Sequence, residues 1–257
     1  MKVLLINGSP RREGNTFIAL SEAARALEAE GVGAEIVSIG TKAVQGCIAC
    51  GKCAELGRCV FNDALYNEVR EKLAGADALV VGSPVYYAGP NGSLCALLDR
   101  LFYSCSDRLA YKPAAAVAVC RRGGASATFD RLNKYFTISN MPVVSSQYWN
   151  SVHGRLPGEA AQDAEGLQTM RVLARNMARM LRAGLLASEG RYEDLPVFCT
   201  EEMARMLEER LEHDHELLPG LWRVYRLEGV WEEDVVEVRP GEWRMRRPAQ
   251  LIALSAS

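Results

Sequence analysis

Long apolar runs are missing from this chain. No stretch approaches the roughly 18 residues that a membrane-spanning helix needs, so no membrane partner is expected. A charge excess is missing too: 30 Lys and Arg against 32 Asp and Glu leave a net charge of −2. Domains that bind nucleic acid through bulk charge are distinctly basic, so that class is excluded. With 22 glycines and 10 prolines in 257 residues, the chain is neither fibrous nor compositionally disordered. Histidine is scarce, at three residues, and no Ser/His/Asp arrangement or paired-carboxylate site stands out. The opening MKVLLINGSP has one lysine and a short apolar stretch, where a secretory signal needs a longer apolar region and a small-residue cleavage site. It reads as a first strand, and the protein is expected to be cytoplasmic.

What is present is an alternation of strand-like and helix-like segments over the first 185 residues or so. Residues 2–6, 35–39, 78–81 and 114–120 are short apolar runs that read as buried strands, and a fifth strand starts at Pro142-Val143-Val144. Between them, 15–30, 63–74, 92–105 and 126–138 have helical spacing, with Gly31 and Gly75 as stops, and a long helix covers about 165–186. Near-continuous apolar strands separated by helices specify an α/β fold, a parallel sheet covered on both faces. Five such units suit a flavodoxin-like order 2-1-3-4-5. The composition changes near residue 190. Residues 190–257 carry 9 basic and 15 acidic residues and three of the four tryptophans, Trp222, Trp231 and Trp243. The expected division is a domain at 1–189 and a C-terminal extension at 190–257 that packs on the core or on a partner subunit. In the extension 200–213 looks helical, and 235–238 and 243–246 look like strands around the turn Arg239-Pro240-Gly241-Glu242.

Three loops follow strands and so fall at the carboxyl edge of the sheet, where open α/β proteins bind ligands. The first, residues 7–16, has Pro10 where a dinucleotide fingerprint needs glycine, and Gly14-Asn15-Thr16 where a P-loop needs Gly-Lys-Ser/Thr. It is a run of small and hydroxyl-bearing residues around a helix N-terminus, which favours an anion. Ser9, Asn15 and Thr16 can donate and Arg11 adds charge, so a terminal phosphate fits best; a plain turn capped by Asn15 or Thr16 is the simpler alternative. The second loop, 82–92, holds three glycines and two prolines, and Tyr86 and Tyr87 offer flat faces for a ring. The third, 120–126, has Gly123 and Gly124, which allow close backbone approach, beside Arg121 and Arg122. One loop for phosphate and two for a ring describe an FMN site.

The segments Asn-Gly-Ser-Pro-Arg-x-x-Gly-Asn-Thr (7–16) and Gly-Ser-Pro-Val-Tyr-Tyr-x-Gly (82–89) resemble the NADPH-dependent FMN reductase-like family of flavodoxin-fold proteins. Residues 141–149 and 165–170 are similar to it as well, so the resemblance covers about 1–186. It implies that Ser9, Arg11, Asn15 and Thr16 hold the phosphate. It also implies that Pro84, Val85, Tyr86, Tyr87 and Gly89 hold the isoalloxazine, with Gly123 and Gly124 on its other side. Flavin sites of this family form at subunit interfaces, which implies a homodimer or tetramer.

Eight cysteines in a chain of this kind are not a disulfide framework, because cytosolic thiols are kept reduced. Cys95, Cys105, Cys120 and Cys199 are scattered and read as small buried hydrophobes. Cys47-x2-Cys50-x2-Cys53-x5-Cys59 is a cluster that needs a chemical explanation. Thiolates bind soft metals. Zinc sites usually use two separated pairs of ligands, whereas successive x2 intervals with a remote fourth are nearer to [4Fe–4S] spacing. Gly46, Gly51 and Gly57 would let the backbone wrap a bulky group, and Lys52 and Arg58 would balance thiolate charge. Three outcomes stay open: an iron–sulfur cluster, empty thiols, or zinc. The spacing also resembles the compact motif of iron–sulfur flavoproteins, a branch of the same family. Of the histidines, His153 lies near the ligand edge and reads as structural, while His213 and His215 read as solvated surface.

The expected activity is that of an FMN-dependent oxidoreductase moving electrons from NAD(P)H, as co-substrate, through FMN to a second small-molecule acceptor such as a flavin or quinone. Flavin chemistry needs no strong side-chain acid or base, so no catalytic side chain is assigned. The alternative is an electron carrier with one [4Fe–4S] cluster and one FMN that exchanges electrons with a ferredoxin-like partner. A phospho-receiver is set aside, because its loops would carry clustered acidic residues.

Overall fold

The computed structural model describes residues 1–188, 235–239 and 242–245, and the chain divides into two compact units, 1–181 and 182–257. In the first unit the strands are β1 (Lys2–Asn7), β2 (Gly33–Ser38), β3 (Ala78–Tyr86), β4 (Gly89–Pro90), β5 (Ala114–Cys120) and β6 (Ser151–His153). The helices are α1 (Asn15–Ala29), α2 (Cys53–Leu56), α3 (Ala64–Ala74), α4 (Gly92–Cys105), α5 (Ala125–Ile138) and α6 (Ala164–Ser188), the last running past the unit's end. Five strands are parallel in the order β2-β1-β3-β5-β6, the flavodoxin-like order expected, and β4 pairs antiparallel with the end of β3.

Side chains alternate across a strand, so a strand buried on both faces must be apolar at every position. In β1, Leu4 and Ile6 join a core with Tyr66, Val69, Leu97, Leu98, Leu101 and Phe136 from α3, α4 and α5. Val3 and Leu5 join a second core with Ala19, Leu20, Leu27, Met170, Leu173 and Met177 from α1 and α6. The run AAAVAVC in β5 divides the same way, with Ala114 and Ala116 on one side and Ala115, Val117 and Val119 on the other. Met170 and Met177 of α6 are core residues, while Met180 is exposed. Among the described residues no helix is long and apolar enough to cross a membrane.

Two elements differ from the sequence reading. The third strand does not stop at Val81: Gly82, Ser83 and Pro84 continue the pairing with Val117, Ala118 and Val119 of β5. Gly82 is buried against Leu20, where an added Cβ would sit 2.9 Å from Cδ1, so this glycine serves close packing inside a strand. The strand then turns back on itself, with Val85 opposite Pro90 and Tyr86 opposite Gly89. The fifth strand is split. Val143 makes one parallel bridge to Ala114, residues 145–149 swing outward, and pairing resumes at Ser151. In the second unit β7 (Val235–Arg239) and β8 (Glu242–Met245) form an antiparallel pair. They correspond to the two strands expected there, while the helix expected at 200–213 lies outside the described residues.

Candidate functional site

Parallel strands put Asn7, Cys120 and His153, the last residues of β1, β5 and β6, at one edge of the sheet, with the end of β3 between them. The loop after β1 is shaped by its own short polar side chains. Asn7 is fully buried; its Oδ1 accepts from the Ser9 N–H (3.1 Å) and its Nδ2 donates to Ser38 Oγ (3.0 Å) and the Arg12 carbonyl (3.3 Å). Ser9 Oγ in turn accepts from the Arg11 N–H at 3.1 Å. These are turns in which a side chain replaces a backbone acceptor. Gly8 is required at its position: its N–H donates to the Gly82 carbonyl at 2.8 Å, and a Cβ would lie 2.7 Å from that oxygen and 2.4 Å from Leu94 Cδ2.

The loop delivers the chain to α1 with Gly14 as N-cap, so no side chain caps the first turn. The exposed Arg11 and Arg12 lie just before it. Uncapped N–H groups, the helix dipole and neighbouring guanidinium charge suit an anion. Asn15 and Thr16 open α1, but neither is its cap, and Thr16 is buried. The Asn15 carboxamide is bonded to the loop after β6. Its Nδ2 donates to the Leu156 carbonyl (2.9 Å) and its Oδ1 accepts from the N–H groups of Gly158 (3.0 Å) and Ala160 (3.2 Å). Asn15 therefore ties the loop after β6 to the start of α1, and its backbone N–H and the second Nδ2 hydrogen remain as donors.

On the other side of the edge, Pro84 and Val85 are half-buried and Tyr86 is exposed. The turn between β3 and β4 is Tyr87-Ala88, both with left-handed backbone (φ 50° and 58°), and the Tyr87 ring stands wholly in solvent. Two consecutive left-handed residues match a type I′ hairpin turn, normally made with Asn-Gly. Gly124, the cap of α5, has φ 84°, and a Cβ there would lie 2.8 Å from the Ala88 Cα and 2.9 Å from Val85 Cγ1. The second and third loops are thus in contact. Gly123 has open space where its side chain would be, with nothing within 4 Å, and Arg121 and Arg122 are exposed. His153 is half-exposed, with Nδ1 3.4 Å from Asp163 Oδ2 and its backbone N–H donating to the same oxygen at 2.6 Å, which is a structural tie.

Cys47, Cys50, Cys53 and Cys59 line one hollow that opens to solvent, with Val60, Phe61, Arg100 and Tyr103. All four are free thiols. The backbone wraps the hollow through left-handed residues at Ala49 (φ 52°), Gly51 (φ 71°) and Gly57 (φ 62°); Gly46, also expected to serve the wrap, is not left-handed. Among the described residues no group of three or more His, Cys, Asp or Glu is placed to hold a single metal ion. Four thiols around one hollow are the donor set that an iron–sulfur cluster takes. Cys105 and Cys120 are buried and Cys95 half-buried, the small-hydrophobe reading; burial, helped by the Asp163 carboxylate, pushes the Cys120 thiol up.

Arg100 escaped the sequence reading. It lies in α4 between Leu97 and Leu101, and its side chain is fully buried. A charge inside the apolar stripe of a helix was the available signal. Burial alone would lower its pKa, but the contacts with Cys59 and Asp63 outweigh burial and hold it above its ordinary value. Burial would likewise raise the Asp63 carboxyl, but the Tyr66 N–H and Arg100 hold it below its ordinary value.

A family profile described as NADPH-dependent FMN reductase matches residues 1–155, and one described as lipoprotein-like, C-terminal domain matches 189–254. An iron–sulfur flavoprotein of Methanocaldococcus jannaschii is 35% identical over 190 residues, covering 71% of this chain and 98% of its own. An iron–sulfur flavoprotein of Methanosarcina thermophila is 32% identical over 186 residues, covering 70% and 95%. The solved structure of RosB with bound 8-demethyl-8-formylriboflavin-5′-phosphate superposes with TM-score 0.58 at 19% identity, over 83% of this chain and 88% of that one. The Trp repressor binding protein of Bacillus subtilis gives 0.52 at 18%, over 67% and 98%. These two structures share the fold. A profile that spans more than half the chain, and relatives matched over nearly their whole length, make the assignment: this chain belongs to the NADPH-dependent FMN reductase family, in its iron–sulfur flavoprotein branch.

Proposed function

We propose that this protein is a flavin-dependent oxidoreductase that holds FMN at the carboxyl edge of its sheet and a [4Fe–4S] cluster in the Cys47–Cys59 loop. It would pass electrons between a ferredoxin-like donor and a small-molecule acceptor. The observation that carries the reading is the single hollow lined by all four clustered cysteines beside the buried Arg100. When bound, FMN supplies coupling between one-electron and two-electron chemistry, and the protein supplies position and electrostatics.

The first-turn N–H groups of α1, with Ser9, Arg11 and Thr16 around them, would anchor the phosphate. Pro84, Val85, Tyr86, Tyr87 and Gly89 would form one wall of the ring site, and the open backbone at Gly123 with Gly124 the other. Cys47, Cys50, Cys53 and Cys59 would ligate iron. A second reading, in which NAD(P)H is the donor, is favoured by the description of the family profile over residues 1–155. The proposed assembly is a homodimer or tetramer.

Anaerobic purification, a visible spectrum, and iron and sulfide analysis test the reading. About four irons and one FMN per chain are expected, with iron lost on Cys50→Ser and flavin retained. Protein that stays colourless after reconstitution with iron, sulfide and FMN ends it. Reduction of the bound flavin by reduced ferredoxin but not by NAD(P)H supports the first donor, and the reverse supports the second.

A further inference from the structure

Three features stand apart from the flavin edge: the Cys120–His153–Asp163 corner, the exposed Tyr148–Trp149 pair, and Arg100. The first is a raised, buried thiol beside a structural histidine, and nothing in the structure shows what covers the second. Arg100 carries an inference.

We infer that Arg100 is the residue that positions the cluster loop and sets the reduction potential of the cluster, through one buried guanidinium bonded to the ligand Cys59 and to both ends of the loop. The inference rests on the functional reading above. Its Nε donates to Cys59 Sγ at 3.3 Å. One terminal nitrogen donates to the Gln45 carbonyl at 3.3 Å, two residues before the first cysteine. The other donates to the Phe61 carbonyl at 2.7 Å and to Asp63 Oδ2, beyond the last cysteine. Four of the five N–H donors of the fork are thereby directed at the two ends of one loop. The cation also stacks on Tyr66, 4.7 Å from the ring centroid, and on Phe61 at 5.7 Å.

A plain buried ion pair would account for Asp63 alone. It does not account for an Nε aimed at sulfur, nor for a carbonyl from the opposite end of the loop. Hydrogen bonds to cluster sulfurs and local charge are recognised determinants of iron–sulfur potentials. A fixed positive charge in contact with a ligand thiolate stabilises the form with the extra electron. Lysine at this position would keep the charge and lose the fork; methionine would lose both. Cys59 has a second tie of another kind: its backbone N–H donates to Tyr66 Oη at 2.8 Å, and that bond is neutral.

The experiment is an EPR-monitored redox titration of the full-length holoprotein, with iron content measured on the same samples, for the native chain and the variants Arg100→Lys, Arg100→Met and Tyr66→Phe. Arg100→Met is expected to make reduction of the cluster at least tenfold less favourable relative to oxidation, a drop of about 59 mV for one electron. Arg100→Lys is expected to recover most of that drop while holding less iron than the native chain. Tyr66→Phe is expected to leave the potential unchanged. Should Arg100→Met take up no iron, the Lys variant decides: reduced iron content at near-native potential supports the inference, and native content with native potential overturns it. Arg100→Met at the native potential overturns it, as does an equal drop for Arg100→Met and Tyr66→Phe. A native chain that takes up no iron and sulfide overturns the functional reading, and this inference with it.

Discussion

Replacing Gly8 by alanine separates packing from binding at the ligand edge. The new methyl would lie 2.4 Å from Leu94 Cδ2 and 2.7 Å from the Gly82 carbonyl oxygen, where ordinary contact begins near 3.4 Å. Leu94 is fully buried and cannot swing aside, and the carbonyl belongs to a central strand. The backbone around residue 8 must move, stretching the 2.8 Å bond from the Gly8 N–H to Gly82. Overpacking of this kind costs about 1–3 kcal/mol, which at a urea slope of about 2 kcal/mol per molar lowers the unfolding midpoint by roughly 0.5–1.5 M. The loop that carries Ser9 and Arg11 moves too, so FMN affinity should fall at least about tenfold, or 1.4 kcal/mol. Gly123→Ala is the contrast. Nothing lies within 4 Å of its added methyl, so stability without flavin should stay within about 0.5 kcal/mol. The methyl enters the space assigned to the ring, so FMN affinity should still fall. Urea unfolding of flavin-free protein and a fluorescence titration with FMN measure both. A native urea midpoint for Gly8→Ala would refute the packing argument, and native FMN affinity for Gly123→Ala would refute the placement of the ring.

Asn15→Ala should destabilise the chain by about 1–3 kcal/mol, because two N–H groups and a carbonyl of the 156–160 segment lose their partner; limited proteolysis should cut there sooner, and an unchanged pattern counts against the tie. Leu98→Ala, fully buried in the core beside α3 and α5, should cost about 2–5 kcal/mol and leave the flavin spectrum of folded protein unchanged. Asp63 has a folded-state pKa below its unfolded one, so its stabilising effect is complete above the ordinary carboxylate value of about 4 and is lost as pH falls through the lowered value. Thermal unfolding of Asp63→Asn should therefore lie below the native chain at neutral pH, with the gap closing in acid; a gap constant with pH excludes this origin.

The buried strands were legible in the sequence because both faces are covered, so VLLI, ALVV and AAAVAVC are apolar throughout. The end of β3 was not. Gly82 and Pro84 have the composition of a stop, but tertiary packing against Leu20 and pairing with β5 carry the strand through them. The hairpin that follows was hidden because its turn is Tyr87-Ala88, without the Asn or Gly that usually announces left-handed backbone. The fifth strand misled because Pro142-Val143-Val144 has strand composition but pairs at one residue, and the run from Ser151 to His153 has little apolar signature. At the candidate site, the spacing singled out Cys47, Cys50, Cys53 and Cys59 as a group, and these four line one hollow. The Asn15 side chain could not be anticipated, because its partners lie more than 140 residues away. Arg100 is similar: its partners at 45, 59, 61 and 63 are set by the crossing of the loop over α4.

The contact between Gly124 and the hairpin has a consequence for how this edge can change. A methyl at 124 collides with backbone at Ala88 as well as with the Val85 side chain, so trimming either neighbour alone does not make room for it. The hairpin and the start of α5 therefore behave as one mechanical part. Variation that reshapes this edge has to arise as matched changes at 85, 88 and 124, and these three positions should drift together or not at all.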